Sequence, residues 1–292
     1  MSVRSLPPVY VADAIAWASR RFARAPLAYG HGTDNPDDEA AALVFHVAGW
    51  SHDAAPAAYR WALPSGARRA LAHLVRRRIE ERIPAAYLTG VTWFAGHEIH
   101  VDERVLVPRS PIAELIETEF RPFIEARRVR RIVDIGTGSG CIAIACAHAF
   151  AQAEVDAVDI SPEALEVAAG NIRRHRLERR VRPRLSNVYA GLGGRRYDMI
   201  VSNPPYVPGA VVSKLPPEYG HEPRLGLASG RDGLDAVRRL IAGARRHLEP
   251  GGLLVVEVGD SADAVQRTWP DIPFLWLEFE RGGGGVFLLT ME

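Results

Sequence analysis

From residue 131 onward, short branched apolar runs alternate with stretches of helical spacing, and this alternation restricts the fold more than any other feature. Residues 132–135, 155–159, 181–186, 199–202 and 253–258 read as strands, and 141–150, 162–175 and 232–248 read as helices. Strands separated by helices pair in parallel, because each crossover returns the chain to the same end of the sheet. The expected class is therefore α/β, a Rossmann-like parallel sheet covered by helices on both faces. Residues 274–279 and 286–290 flank a run of four glycines, Gly282 to Gly285, and are expected to close one edge as an antiparallel hairpin.

The first part of the chain has a different period. Residues 11–24 carry apolar side chains at helical spacing, and Asn35-Pro36 is an N-cap followed by proline at the first helical position, opening a helix that runs to about Val47. Residues 51–66 lack a sustained period and read as a loop. Residues 68–82 resume a helix with Leu71, Leu74, Val75 and Ile79 on one face. After Pro84 the period turns alternating, through Phe94, Ile99, Val101, Val105 and Val107, which suggests a β-hairpin. The expected organisation is a helical substrate-recognition domain over residues 1–90, a hairpin hinge over 91–107 and a catalytic domain over 108–292.

Charge narrows the classes of function. The 292 residues carry 36 basic and 35 acidic side chains, with 12 and 11 of them before Pro108. Neither part has the cationic excess that displaces counterions from a nucleic-acid backbone. Arg76-Arg77-Arg78 reads as the solvated face of a helix, with a ribosomal-RNA contact as the other reading. The ten histidines show no metal-ligand spacing, so no metal is expected. Cys141 and Cys146, five positions apart on one helix, point in different directions and read as small core residues that cannot bridge. No charged leader and no apolar run of membrane-spanning length is present, so the protein is expected to be cytoplasmic, with no membrane partner.

Two motifs carry chemistry. The first is Asp134-Ile135-Gly136-Thr137-Gly138-Ser139-Gly140, three glycines between a strand and a helix. Asp159 ends the next strand, where a carboxylate can accept both hydroxyls of a ribose. A dinucleotide dehydrogenase would place its third glycine at Cys141; the Gly-x-Gly-x-Gly spacing here favours S-adenosyl-L-methionine, with S-adenosyl-L-homocysteine as product. Asp134, inside an apolar strand, needs donors, which the loop amides or the ligand's amino group would supply; bracing the loop is its other reading.

The second motif is Asn203-Pro204-Pro205-Tyr206, delivered to the carboxyl end of the strand that begins at Tyr197. Two prolines stiffen the turn and remove two donors, so the site presents acceptors. The Asn203 side-chain oxygen and the Pro204 carbonyl can hold both hydrogens of a planar N–H₂ group. An amide nitrogen is a weak nucleophile because its lone pair is delocalised, and two acceptors localise that pair, so catalysis is positioning and electrostatics without a catalytic histidine. Tyr206 can stack on the planar target and lie near the sulfonium. The tetrad alone admits amide or adenine amino-group methylation, and the fold also admits a noncatalytic assembly factor.

These residues resemble the class I protein-glutamine N-methyltransferases over nearly the whole chain, which implies a seven-stranded methyltransferase sheet, a small helical N-terminal domain and a β-hairpin linker. One branch of that family methylates the Gly-Gly-Gln glutamine of release factors, the other a glutamine of the third protein of the large ribosomal subunit. The release-factor branch typically has Pro-Arg-Pro followed by an acidic residue, whereas Pro108-Arg109-Ser110-Pro111-Ile112 has the ribosomal-protein form. Residues 29–36, 222–230 and 276–279 resemble that branch too. The implied partner is that ribosomal protein, with ribosomal RNA a further contact in assembly intermediates. Asn203, Pro204 and Tyr206 are the expected catalytic residues. Substrate is expected at Asn203, Pro204, Pro205, Tyr206 and Arg109, and the donor at Asp134, Gly136, Thr137, Gly138, Ser139, Gly140, Asp159, Asn187, Val188 and Asn203. Asn187 departs from the family, which usually has aspartate there; His221-Glu222 reads as a substrate or a structural loop.

Overall fold

The computed structural model describes residues 6–50 and 56–291, which divide into two compact units: the described residues up to Val91 together with Pro216–His221, and the rest. The first unit is built on the helices α1 (Val11–Phe22), α2 (Pro36–Ala48), α3 (Ser65–Glu80) and α4 (Ala85–Thr89). Asn35 caps α2 by accepting from the amides of Asp37 and Asp38, and Gly49 ends it in the left-handed conformation. Apolar residues at helical spacing, Val11, Ala14, Ala18 and Phe22 on α1 and Leu71 and Val75 on α3, meet Leu43 and Val44 in one core. Of the loop expected over 51–66, residues 51–55 lie outside the described residues; Pro56–Arg60 is a 3-10 turn and α3 starts earlier than its pattern suggests.

A buried ion cluster overturns the solvated-face reading for Arg78 alone, since Arg76 is exposed and Arg77 pairs with Glu81 at the surface. Arg78 is 1% exposed and bonds Glu39, the Ala28 carbonyl and, at 3.0 Å, Glu218. Arg82 forks onto both oxygens of Glu218 at 2.7 and 2.9 Å, and the Ala28 amide donates to the same carboxylate. Two guanidinium groups thus balance two carboxylates, the condition under which buried charge is tolerated. Burial alone would raise Glu218; Arg82, the Ala28 amide and Arg78 bring it down to about 2.

From the unit boundary at Val91, β1 (Val91–Phe94) and β2 (His97–His100) form the expected hairpin, turning at Ala95-Gly96, both at positive φ. Phe94, Ile99, Val101, Val105 and Val107 are all buried, although only the first two lie in strands. Asn171 ties the hairpin down: its amide oxygen accepts from His100 N while its nitrogen donates to the carbonyls of His100 and Ser139.

The remaining elements are α5 (Ile112–Glu117), β3 (Arg131–Ile135), α6 (Cys141–Ala149), β4 (Glu154–Asp159), α7 (Pro162–Arg174), β5 (Val181–Leu185), β6 (Tyr197–Ser202), α8 (Gly209–Val212), α9 (Arg224–Leu227), α10 (Asp235–His247), β7 (Leu248–Glu257), α11 (Ala262–Thr268), β8 (Leu275–Leu277) and β9 (Val286–Thr290). Sheet order is β5-β4-β3-β6-β7-β9-β8, parallel from β5 to β7. The last two strands pair antiparallel as expected, but β9 also pairs antiparallel with β7 and so lies inside β8. Val133, Ile200 and Leu254 share one register row and one face, against which α10 packs Val237, Leu240 and Ala244 at helical spacing. Both cysteines are free, and burial pushes the Cys141 thiol up to about 12, in keeping with inert core residues. Among the described residues no helix is long and apolar enough to cross a membrane.

Candidate active site

The chain winds outward from β3 through β4 to β5 and then returns to lay β6 on the other side of β3. This reversal opens a crevice at the carboxyl ends of β3 and β6, the place where doubly wound sheets bind ligands. The glycine loop follows β3, Asp159 ends β4 and the tetrad follows β6, so the topology brings the two motifs together. A methyl group on Gly136 would lie 3.7 Å from the Asn203 carbonyl oxygen.

Gly136, Gly138 and Gly140 all have positive φ, and the amides of Gly136 and Thr137 donate to the Val158 carbonyl at 2.8 and 2.9 Å. Their surroundings differ. A Cβ on Gly140 would stand 3.2 Å from that of Ala168, whereas a Cβ on Gly138 would meet nothing within 4 Å. Gly140 thus serves helix packing, and Gly138 leaves open space at the crevice.

Asp134 is fully buried. One carboxylate oxygen accepts from the Thr137 hydroxyl at 2.5 Å and the Ala143 amide at 3.1 Å; the other has no hydrogen-bond partner among the described residues. Burial raises its pKa to about 7 against the pull of those two donors. Such an orphan acceptor is costly unless a bound cation or donor meets it. Asp159 accepts from Gly138 N and Ser161 N, each at 2.9 Å, and burial raises its pKa as well. The Ile160 amide also bonds this carboxylate, and the lone pairs that these three amides leave could accept a ligand hydroxyl. Ser139 is buried, with its carbonyl held by Asn171.

The tetrad is braced by a residue that the sequence pattern did not single out. Glu257, last in β7 and 4% exposed, accepts from the Tyr206 hydroxyl at 3.2 Å and from the Ser110 hydroxyl, and it also bonds the Asn203 side chain. Burial raises it to about 7, while Ser110, Tyr206, Arg109 and Asn203 favour its ionised form. An ionised carboxylate only accepts, so it is the Asn203 N–H₂ that meets Glu257. The Tyr206 ring packs on Gly259, where a Cβ would come within 2.8 Å, and its carbonyl accepts from Ser261. Pro204 is buried and Pro205 half-buried beside them.

Other expected site residues are held by protein partners. Arg109 forks onto Glu222 at 2.5 and 2.7 Å, and Glu222 also accepts from Val107 N, which supports the structural reading of that glutamate. Exposed Asn187 accepts from Arg239 at 2.9 Å, and Val188 follows it at φ 54. A buried glutamate at the end of a strand gives no signal in one sequence; only the turn across the sheet brings Glu257 to Asn203.

The model of the methyltransferase small domain matches residues 120–215, and that of the PrmC N-terminal domain matches 13–90. The ribosomal protein uL3 glutamine methyltransferase of Xanthomonas campestris pv. campestris is 46% identical over 277 residues, 95% of this chain and 90% of that protein. Its counterpart in Neisseria meningitidis serogroup A is 45% identical over 97% of this chain and 93% of its own length. Among solved structures, the catalytic domain of hMettl16 in complex with a MAT2A 3'UTR hairpin superposes with a TM-score of 0.52 at 16% identity, covering 77% of this chain and 81% of that one, a likeness of fold alone. Identity at this level along almost the full length of both chains makes this chain a member of the ribosomal protein uL3 glutamine methyltransferase family.

Proposed function

We infer that the chain transfers a methyl group from S-adenosyl-L-methionine to the side-chain amide nitrogen of a glutamine in ribosomal protein uL3, in the cytoplasm. The observation that carries the chemistry is that the Asn203 side chain is hydrogen-bonded to the buried Glu257 carboxylate while the Asn203 backbone lies against the glycine loop at Gly136. The residues fit the donor. The unpaired oxygen of Asp134 would take its ammonium group, the open space at Gly138 would take the chain that follows, and Asp159 would take the ribose hydroxyls. Asn187 and Val188 would border the adenine, with Arg239 already on the Asn187 oxygen.

Bound there, the donor supplies an electrophilic methyl. The Asn203 oxygen and the Pro204 carbonyl accept the two hydrogens of the glutamine amide and localise its lone pair, and Pro205 keeps the turn stiff. Tyr206, with its hydroxyl on Glu257, presents a ring edge and face that fix the plane of the target. Arg109 works through charge, by favouring ionised Glu257, rather than by touching substrate.

Ser110 supports the ribosomal-protein branch. Its hydroxyl donates to Glu257, whereas the proline typical of the release-factor branch has no donor for that carboxylate. The test is a side-by-side assay of the purified enzyme with uL3, a release factor and ribosomal RNA. Methyl on a uL3 glutamine alone is expected; methyl on the release factor or the RNA, and none on uL3, would overturn the reading.

A further inference from the structure

We propose that His97, His148 and His175 form a binding site for a divalent transition-metal ion, zinc foremost, that clips the β-hairpin to α6 and the end of α7. These positions have no ligand spacing along the chain, but the fold gathers one ring nitrogen from each to within 4.8 Å of the others. His97 opens β2, His148 lies in the last turn of α6 and His175 follows α7.

Two features go beyond proximity. The Nε2 of His148 lies 3.4 Å from Nδ1 of His175. Two nitrogens bound tetrahedrally to zinc at about 2.0–2.1 Å stand about 3.3 Å apart, so this pair already has the spacing of one edge of a zinc site. The far nitrogen of His175 lies 2.8 Å from the Glu98 carbonyl and so carries its proton there. That bond leaves Nδ1 as a lone-pair donor aimed at His148, the outer-shell arrangement that orients metal-ligating histidines.

The third ligand needs a side-chain rotation. His97 stacks on His148 with centroids 4.3 Å apart and planes at 21°, so its ring has to turn out of the stack for its nitrogen to join the other two. His148 is exposed, which leaves the fourth position to water.

The full chain, free of any affinity tag and stripped with a chelator, is titrated with zinc against a chromogenic competitor and separately with cobalt(II). One zinc per chain, the intense visible bands of tetrahedral cobalt and a raised melting temperature are expected. His148→Ala and His175→Ala, and the conservative His148→Gln, should each weaken zinc by at least about 10-fold and abolish the cobalt bands, while glutamine methylation persists. Circular dichroism checks that each variant is folded, and the glutamine variant serves if an alanine variant is not. Absence of equimolar zinc, or zinc affinity and cobalt bands unchanged in the variants, would overturn the proposal and leave a hydrogen-bonded imidazole cluster. Because metal binding is read directly, its failure is distinguishable from failure of the methyl-transfer reading.

Discussion

The Tyr206 hydroxyl donates to the Glu257 carboxylate across 3.2 Å, which joins the tetrad after β6 to the end of the neighbouring strand β7. Ser110 and Asn203 converge on the same carboxylate, so three donors share one buried acceptor. Its ionisation therefore governs which way the Asn203 amide faces.

Glu257→Gln should lower kcat roughly 10- to 100-fold, the worth of a charge-assisted hydrogen bond of about 1.5–3 kcal/mol, with little change in KM for uL3. The competent form is the carboxylate, and burial holds its pKa at about 7, so kcat/KM of the parent should rise with pH through that region. The glutamine variant should lose this rise. An unchanged pH profile in Glu257→Gln would remove the orienting role.

Asn203→Ala deletes an acceptor that the transition state needs more than the bound donor does. Initial rates should fall about 100- to 1000-fold, as for the loss of one preorganised electrostatic contact, while calorimetry with S-adenosyl-L-methionine finds a much smaller loss of donor affinity. Full activity would favour a noncatalytic role for the tetrad.

Asp134 should link cofactor, pH and stability. Its native pKa, about 7, lies above the ordinary carboxyl value of 3.8, so the native state holds the extra proton. Its contribution is then fully present below the unfolded value and lost as pH rises through 7. Without ligand, Asp134→Asn should melt above the parent at pH 8 and bind S-adenosyl-L-methionine more weakly. A parent whose melting temperature does not fall, relative to the variant, between pH 5 and pH 8 would contradict this.

Gly138→Ala separates ligand space from turn geometry. The new Cβ meets no atom within 4 Å, but the backbone sits at φ 51. A stability cost of about 1–2 kcal/mol is expected from the left-handed backbone, seen as a modest shift in urea midpoint. Donor affinity should fall well beyond that, and intact binding would mean that the loop does not face the donor.

Arg78→Leu leaves the fully buried Glu218 with Arg82 alone and strips Glu39 of its guanidinium. Breaking such a cluster should cost about 3–5 kcal/mol in chemical denaturation of the first unit. Glu218, depressed to about 2, stabilises above its ordinary value of 4.5, and that stabilisation is lost as pH falls toward 2. Glu218→Gln should flatten this acid dependence.

Much of the fold is legible along the chain because helices and strands are local periods. The Asn35-Pro36 cap, the strand after Arg131 and the amphipathic α10 each declare themselves within about two turns of sequence, the range over which hydrophobic periodicity is read. Boundaries moved where a helix starts without a side-chain cap and the apolar period does not mark its first residue, as at Ser65 for α3 and Asp235 for α10. The glycine spacing and the tetrad were readable as well, since each motif is a run of backbone requirements.

By itself, then, the sequence determined the parallel sheet, the glycine loop with its two acidic residues, the tetrad and the resemblance of the Pro108–Ile112 segment, all features set by neighbours in the chain. Tertiary structure alone decided what distant residues do to one another. It placed β9 inside β8, buried Arg78 between Glu39 and Glu218, set Glu257 under Asn203 and Tyr206, and gathered three histidines from separate elements. The physical reason is that burial and pairing fix the charge and orientation of a polar side chain, and both depend on which surfaces the fold brings together.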